Sequence, residues 1–523
     1  MINLLNIVRP FIKAIPTISK PTRLLNTTEK LVWTLIALLI YLVASQIPLY
    51  GMQISDAKDP FYLLRRMMAS NRGTLMDLGL SPVISGGMII SCLKSFGLIS
   101  FSGLKEDRVL YGALEKLLSI LLTLGQASAS VFAGLYGDVN SLGLIKGVFI
   151  VSQLICSGVI VLLLDDLLNT HCFGTGINLF IASNVCERVL WNSLSPKIFQ
   201  TARGPQFEGS ILSLLHLLII RKNKVNAVIE AFTRNNLPNL CSLFTTCVFF
   251  SIVIYLQGIK VDILIQSIVV KAQRTVMPVR LLYASTTPVI SQGQIVSHVC
   301  TISKMLFDRF PNNIIIKLLG KWETTEYGNV PVSGFCSLIV APPFLKDVKL
   351  LPLLLYPVRV CLNILYLVLN PIDGISLLKM KLKQILKYRV IMNFLMVHIF
   401  NLRNILWTTF YISTSLAISS ILSRAWVVMQ DTGSRNMARK LKTDKMQIVG
   451  LRDVSKAESY LDTVVPAAAT LGGFAIGAVI LSCDVFDSIV SGSNIFLCVS
   501  IVWKYWEALA NESVKEDRYA FRA

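Results

Sequence analysis

Histidine and cysteine have the widest chemical repertoire of any side chains, and here their placement removes most of it. The four histidines, His171, His216, His298 and His398, show no metal-ligand spacing, and the eleven cysteines include no C-x-x-C pair. Cys156, Cys247 and Cys498 sit inside apolar runs, where a thiol behaves as a small buried hydrophobe. Walker, H-E-x-x-H and G-x-S-x-G signatures, which would place a phosphate cradle, a zinc with its base or a nucleophilic serine, do not occur. No catalytic residue, metal ligand or cofactor is therefore expected. What recurs instead is aliphatic. LGLSPVISGGM at Leu78–Met88 and STTPVISQ at Ser285–Gln292 share Pro-Val-Ile-Ser, roughly two hundred residues apart. FGTGINLFI at Phe173–Ile181 is echoed by SGSNIFLCV at Ser491–Val499, again opening an apolar run. Both prolines head an apolar segment, where the missing N–H costs least and the fixed φ suits a first helical turn.

The elements that must position these motifs follow from composition. A mean hydropathy of +0.63 with 15% charged residues excludes an ordinary soluble domain. Several apolar stretches are long enough to span a bilayer, so the fold class is an all-α polytopic membrane protein. The net charge of +20 resides mostly between apolar runs, where Lys and Arg set orientation and meet headgroups or partners. Residues 1–30 combine Leu4, Leu5, Val8, Phe11 and Ile12 with Arg9, Lys13, Lys20, Arg23 and Lys30, as a cytosolic amphipathic helix without a cleavable signal would. Spans are expected at Leu31–Tyr50, Leu75–Leu93, Leu117–Tyr136, Leu144–Leu164 and Gly174–Trp191, a first half over 31–192. Mixed segment Gly51–Gly73 should lie on the far side. A linker over 193–239 reads as short helices outside the bilayer. The second half, 240–508, has spans at Leu240–Leu256, from Pro288, and at Ile405–Leu422, Val465–Val485 and Ile495–Trp506, before a charged tail over 509–523. This count puts both termini in the cytosol. Weak similarity between halves of a membrane protein points to inverted repeats around a central site near the midplane.

Longer runs carry a resemblance. They are QIPLYGM at Gln46–Met52, ASNRGTLMDLGLSP at Ala69–Pro82, GVIVLLLDDLL at Gly158–Leu168, FEGSI at Phe207–Ile211, NLPNL at Asn236–Leu240, YLQGIKVD at Tyr255–Asp262 and VPAAATLGG at Val465–Gly473. On these runs the chain resembles the SecY-type protein-conducting channels, in their eukaryotic form as alpha subunits of the endoplasmic reticulum Sec translocon. The resemblance implies ten transmembrane helices in two inverted five-helix halves, hinged between spans five and six, around a central hourglass pore that also opens sideways into lipid. Carried over position by position, the pore ring corresponds to Leu80, Ile84, Ile177, Ile181, Ile290 and Leu497. A waist of flexible aliphatic side chains passes a chemically varied chain yet stops ions by dewetting. The polar lateral-gate positions correspond to Ser85, Gln126 and His298, the histidine standing where the family more often has an amide. Basic loops 257–282 and 423–456 resemble the ribosome docking site, with Lys271, Arg274, Arg435, Arg439, Lys440 and Arg452 as candidates. Such side chains gain from phosphate contacts and counterion release on ribosomal RNA without reading bases. Gln266, Val269, Val449 and Leu451 replace basic residues of the family, which weakens docking or shifts it onto Arg435–Lys445. Implied partners are small beta and gamma translocon subunits, ribosomal RNA and proteins at the tunnel exit, signal peptides and nascent chains, a luminal chaperone ATPase and membrane lipids.

Two stretches depart from the family. Residues from about 345 to 404 form an insert before the eighth span, apolar at Leu350–Leu369 and basic at Lys379–Arg389. It reads as an interfacial hairpin, a disordered loop or a translated intron. The plug, sought after the pore motif at Ser95–Leu104, does not match there. A second function class, an inverted-repeat secondary transporter for a small solute, shares the repeats and broken helices. It would place charged or strongly polar ligands at the midplane. Here the motif residues are aliphatic, and Asp165, Asp166, Asp484 and Asp487 fall at span ends.

Overall fold

A backbone in lipid must satisfy its own hydrogen bonds, so the apolar segments fold as helices. The computed structural model describes residues 9–520 apart from 12–14, 53–72, 96–104, 133–135, 138–142, 202–203, 222–223, 235–236, 269–273, 283–286, 326–327, 341–401, 430–432 and the single positions 20, 22, 24, 173, 233, 452 and 487. In chain order the first half contains α1 (Thr27–Gln46), α2 (Ser81–Ser95), α3 (Lys105–Phe132), α4 (Leu144–His171) and α5 (Gly176–Leu194). The linker follows as β1 (Ile198–Thr201), β2 (Gly204–Phe207), α6 (Ser210–Ile220) and α7 (Lys224–Phe232). The second half begins with α8 (Leu240–Gly258), β3 (Lys260–Ser267), β4 (Arg274–Arg280) and α9 (Thr287–Arg309). Four short elements come next: α10 (Ile314–Leu319), β5 (Lys321–Thr325), β6 (Gly328–Ser333) and α11 (Phe335–Ile339). The chain closes with α12 (Leu402–Met429), α13 (Ser434–Thr443), β7 (Met446–Ile448), α14 (Val454–Val485) and α15 (Gly492–Ala520).

Each expected span coincides with one of these helices, namely α1 to α5, α8, α9, α12, α14 and α15. Their ends are less well anticipated. Helix α3 begins at Lys105 rather than Leu117, α14 at Val454 rather than Val465, and α15 continues to Ala520 through the expected charged tail. Hydropathy marks the bilayer, whereas helices continue into charged flanks because Lys, Glu and Arg are good helix formers. Among the described residues, α1, α3, α4, α8, α12 and α14 are long and apolar enough to cross a membrane on length and composition. Helices α2, α5, α9 and α15 do not meet that condition. The expected amphipathic helix over 1–30 falls partly outside the described residues, which include a 3₁₀ turn at Arg9–Phe11 before α1 starts. The insert lies outside them up to 401, and α12 begins at Leu402.

The largest apolar cluster joins both halves. Tyr41 of α1 stacks on Phe180 of α5 with centroids 4.3 Å apart, and the cluster continues through Val161 of α4, Phe249 of α8, Ile476 of α14 and Phe496 of α15. Helices α12 and α14 meet through small residues. A Cβ at Gly473 would lie 2.7 Å from the Ser419 carbonyl oxygen, so glycine permits this approach. The linker differs from the expected run of helices, because β1 and β2 pair antiparallel with Ile198 opposite Phe207. Buried Arg234 donates to the Phe207 and Pro238 carbonyls and thereby ties the FEGSI and NLPNL runs together.

Candidate functional site: an aliphatic waist, a polar seam and a basic sheet

The expected waist begins at the turn before α2. Pro48 bridges Thr74, and buried Asp77 accepts the Gly73 N–H at 3.1 Å and the Tyr136 hydroxyl at 2.8 Å. Gly79 then takes φ +56°, a left-handed conformation that glycine adopts without a Cβ penalty, and delivers Leu80 to the core. Pro82 and Pro288 are the second residues of α2 and α9, as their place at the head of each apolar run predicts. Ile84 lies in the first turn of α2, Ile177 and Ile181 one turn apart in α5, Ile290 in the first turn of α9 and Leu497 in the second turn of α15. All six expected ring residues enter the same apolar cluster. Leu80, Ile181, Ile290 and Leu497 are 0 to 4% exposed members of it, and Ile84 and Ile177 pack half-buried against the cluster.

The helices carrying or adjoining these six residues are α2, α5, α9 and α15, the four that fall short of a fully apolar span. A helix surrounded by lipid must be apolar all round, whereas one surrounded by protein or facing a cavity is free of that demand. Helix α9 uses that freedom, with Ser291, Gln294, Ser297 and Thr301 all buried.

Across the seam between α2 and α9, Ser85 Oγ lies 3.3 Å from His298 Nε2. One turn earlier on both helices, the Gln294 side-chain amide donates to the Ser81 carbonyl at 3.4 Å. The sequence reading missed this second contact. Its signal was the matching spacing, since Ser81 and Gln294 each stand four residues before a proposed gate residue and so share its face. Gln126 does not join them: on α3, its buried Oε1 has no hydrogen-bond partner among the described residues. Helix α2 also packs against α12.

The two basic loops meet in one sheet of order β4-β3-β7, where Ile265 stands opposite Ile448. Neither strand pairing was anticipated. Ile263, Val279, Leu441, Ile448 and Leu461 form the apolar core beneath it, joining the sheet to α13 and α14. Arg274 opens β4 opposite Gln266 and is exposed. Arg435, Arg439 and Lys440 project from α13, and all three are exposed. Glu458 accepts Arg435 Nε at 2.8 Å and holds the guanidinium above its ordinary pKa. Ser434 donates to Asp462, anchoring the start of α13 on α14. Lys271 and Arg452 lie outside the described residues.

Residues 74–506 match the SecY family model, and residues 39–73 match that of the plug domain of Sec61p. The chain belongs to the SecY family. Among its relatives, the protein transport protein Sec61 subunit alpha of Dictyostelium discoideum is 37% identical over 97% of this chain and 96% of its own length. The SEC61 subunit alpha of Neurospora crassa is 36% identical over the same shares. The fold is similar to that of a solved protein-conducting channel, with a TM-score of 0.69 at 22% identity, covering 97% of this chain and 98% of the other. It is also similar to Sec61 in a canine ribosome-channel complex, with a TM-score of 0.64 at 20% identity, covering 97% of each chain. The plug match corrects the expected position. The residues that match the plug-domain model, 39–73, include the end of α1 and precede the pore motif, whereas the plug was sought after that motif at Ser95–Leu104. Segment Gly51–Gly73 had the mixed composition of a surface connection, which is what a short amphipathic element tucked against a channel also looks like. Residues 53–72 and 96–104 both lie outside the described residues.

Proposed function

We propose that this chain is the pore-forming subunit of a Sec translocon, conducting nascent polypeptides across the endoplasmic reticulum membrane and releasing hydrophobic segments laterally into lipid. The observation that carries the reading is that Leu80, Ile84, Ile177, Ile181, Ile290 and Leu497, all aliphatic and drawn from both halves, belong to or pack against one apolar cluster. A translocating chain presents every side-chain type in turn, so its pore gains nothing from a specific ligand group. Aliphatic side chains that part and re-close seal the idle pore by excluding water. A small-solute transporter is set aside, because family membership points to protein transport.

Helices α2 and α9 form one edge of the lateral exit, held by Ser85 with His298 and by Gln294 with Ser81. An apolar signal helix entering the seam offsets those contacts with its own packing. Replacing Ser85 with alanine and His298 with leucine is expected to ease opening by about 0.6 to 2 kcal/mol, roughly three- to thirtyfold in the open-to-closed ratio. Insertion of a reporter bearing a weakened signal sequence reads this effect, and an unchanged dependence on signal hydrophobicity would count against the seam. The basic unit of β3, β4, β7 and α13 serves as the ribosome docking surface, which places both termini in the cytosol. Sec61 in the canine complex and Ssh1 in a yeast complex are each bound to a ribosome, which supports that partner. Beta and gamma subunits, signal peptides, nascent chains, a luminal chaperone ATPase and lipids complete the proposed set.

The deciding experiment is photocrosslinking from Ile84 and Ile290 to a stalled, signal-bearing nascent chain in native membranes. Signal-dependent crosslinks at both positions are expected. Their absence with the ribosome still bound would mean a docking relative that does not conduct polypeptide.

A further inference from the structure

Adjacent carboxylates Asp165 and Asp166 end the apolar stretch of α4 and face different neighbours. Asp166 pairs with Lys116 of α3, each side chain being 20% exposed. Asp165 lies near Glu115 of α3 and also reaches the start of α5. Its Oδ1 accepts the backbone N–H of Ile177 at 3.0 Å, and its Oδ2 accepts Asn169 Nδ2, one turn along α4, at 3.0 Å. The first N–H groups of a helix have no partner within it. Thr175, the residue before α5, makes no side-chain capping bond, so the cap arrives from α4 instead. A carboxylate there also meets the positive end of the α5 dipole. The approach is close. A Cβ at Gly176 would lie 2.8 Å from Leu168 Cδ1 and 3.0 Å from Asp165 Cα, so only glycine lets α5 start so near α4.

The capped residue is itself a member of the waist. Ile177 receives its position from Asp165, and Ile181 follows one turn later on the same face. We propose that Asp165 is the positioning residue for the α5 side of the waist: by capping α5 from outside, it sets where Ile177 and Ile181 stand and so how well the idle pore seals. Asp166 instead ties α4 to α3 through Lys116. This inference rests on the pore reading above. It predicts that length and acceptor geometry at position 165 matter more than charge, since asparagine keeps an oxygen at the same reach while glutamate keeps the charge one methylene too far.

The test is the idle ion conductance of the full-length chain, assembled in its complex and reconstituted in planar bilayers. Asp165→Ala is expected to raise conductance about three- to tenfold, the factor for losing one hydrogen bond. Asp165→Asn is expected to restore most of the seal, Asp165→Glu to leak more than Asp165→Asn, and Asp166→Asn to stay within about twofold of the unaltered channel. Ile177→Gly tests the pore reading itself. If Ile177→Gly leaks while Asp165→Ala seals, the positioning role is wrong and the pore reading stands. If neither leaks, the waist assignment on α5 falls and the inference with it. Should Asp165→Ala fail to assemble, the order of Asp165→Asn and Asp165→Glu decides, because tighter sealing by glutamate would show that charge, and not capping, is what counts.

Discussion

Replacing Ile84 and Ile290 together with glycine is expected to make the idle channel leak ions, at least about tenfold above the unaltered protein, and to admit proteins with defective signals. These residues are the isoleucines of the two Pro-Val-Ile-Ser runs, one in each half, and they meet the same apolar cluster from α2 and α9. Each substitution removes a whole branched side chain, so the waist widens from both halves at once and loses its apolar lining there. Dewetting depends steeply on both, which is why the double variant should exceed the sum of the single ones. Part of the effect will be thermodynamic. Ile290 is 4% exposed, and deleting a buried isoleucine side chain costs about 2 to 5 kcal/mol, to which glycine in a first helical turn adds up to about 1 kcal/mol. Conductance in planar bilayers and translocation of a reporter with a weakened signal check the prediction together. A tight and fully stringent double variant would remove both residues from the waist.

Reversing Arg274, Arg439 and Lys440 to glutamate is expected to lower ribosome affinity by roughly one to two orders of magnitude at moderate salt. Binding to RNA phosphate is driven by released counterions, so the slope of log affinity against log salt should also flatten, by up to about 0.9 for each phosphate left without its cation. The three side chains are exposed on the single unit formed by the β4-β3-β7 sheet and α13. Arg435, exposed on the same helix, already meets Glu458 at 2.8 Å, so Arg435→Ala should weaken docking less than removal of Arg439 or Lys440. Co-sedimentation of microsomes or reconstituted complex with ribosomes across a salt series reads both quantities. An unchanged slope would move docking off this unit.

The motifs were legible in proportion to how locally their physics is set. Pro82 and Pro288 announced two helix starts because proline constrains its own φ and removes its own donor, and both fall in the second position of their helices. The polar content of α9, with Gln294, Ser297 and His298 inside an apolar run, was visible in the sequence as a mixed composition. That such composition goes with the expected waist became apparent only when α2, α5, α9 and α15 proved to be the helices carrying or adjoining those six residues. The Gly51–Gly73 segment shows the opposite limit. A short amphipathic stretch reads alike whether it lies on a surface or belongs to a plug, so its assignment came from family matching.

By itself the sequence determined the class and the register of this protein: a basic, multi-span helical chain whose apolar runs fall where helices form, with recurring aliphatic motifs at their heads. Those properties depend on residues near one another in the chain, on transfer to lipid and on backbone preference. Tertiary structure alone decided which partners meet. It paired Ile265 with Ile448 and so merged two basic loops into one surface. It set Ser81 against Gln294 beside Ser85 and His298, and left Gln126 outside that contact. It also brought Asp165 to the N–H of Ile177, a bond between helices that neither residue type announces. The reason is common to all three. A long-range contact depends on how helices pack and on which polar groups packing leaves unsatisfied, and no single stretch of chain carries that information.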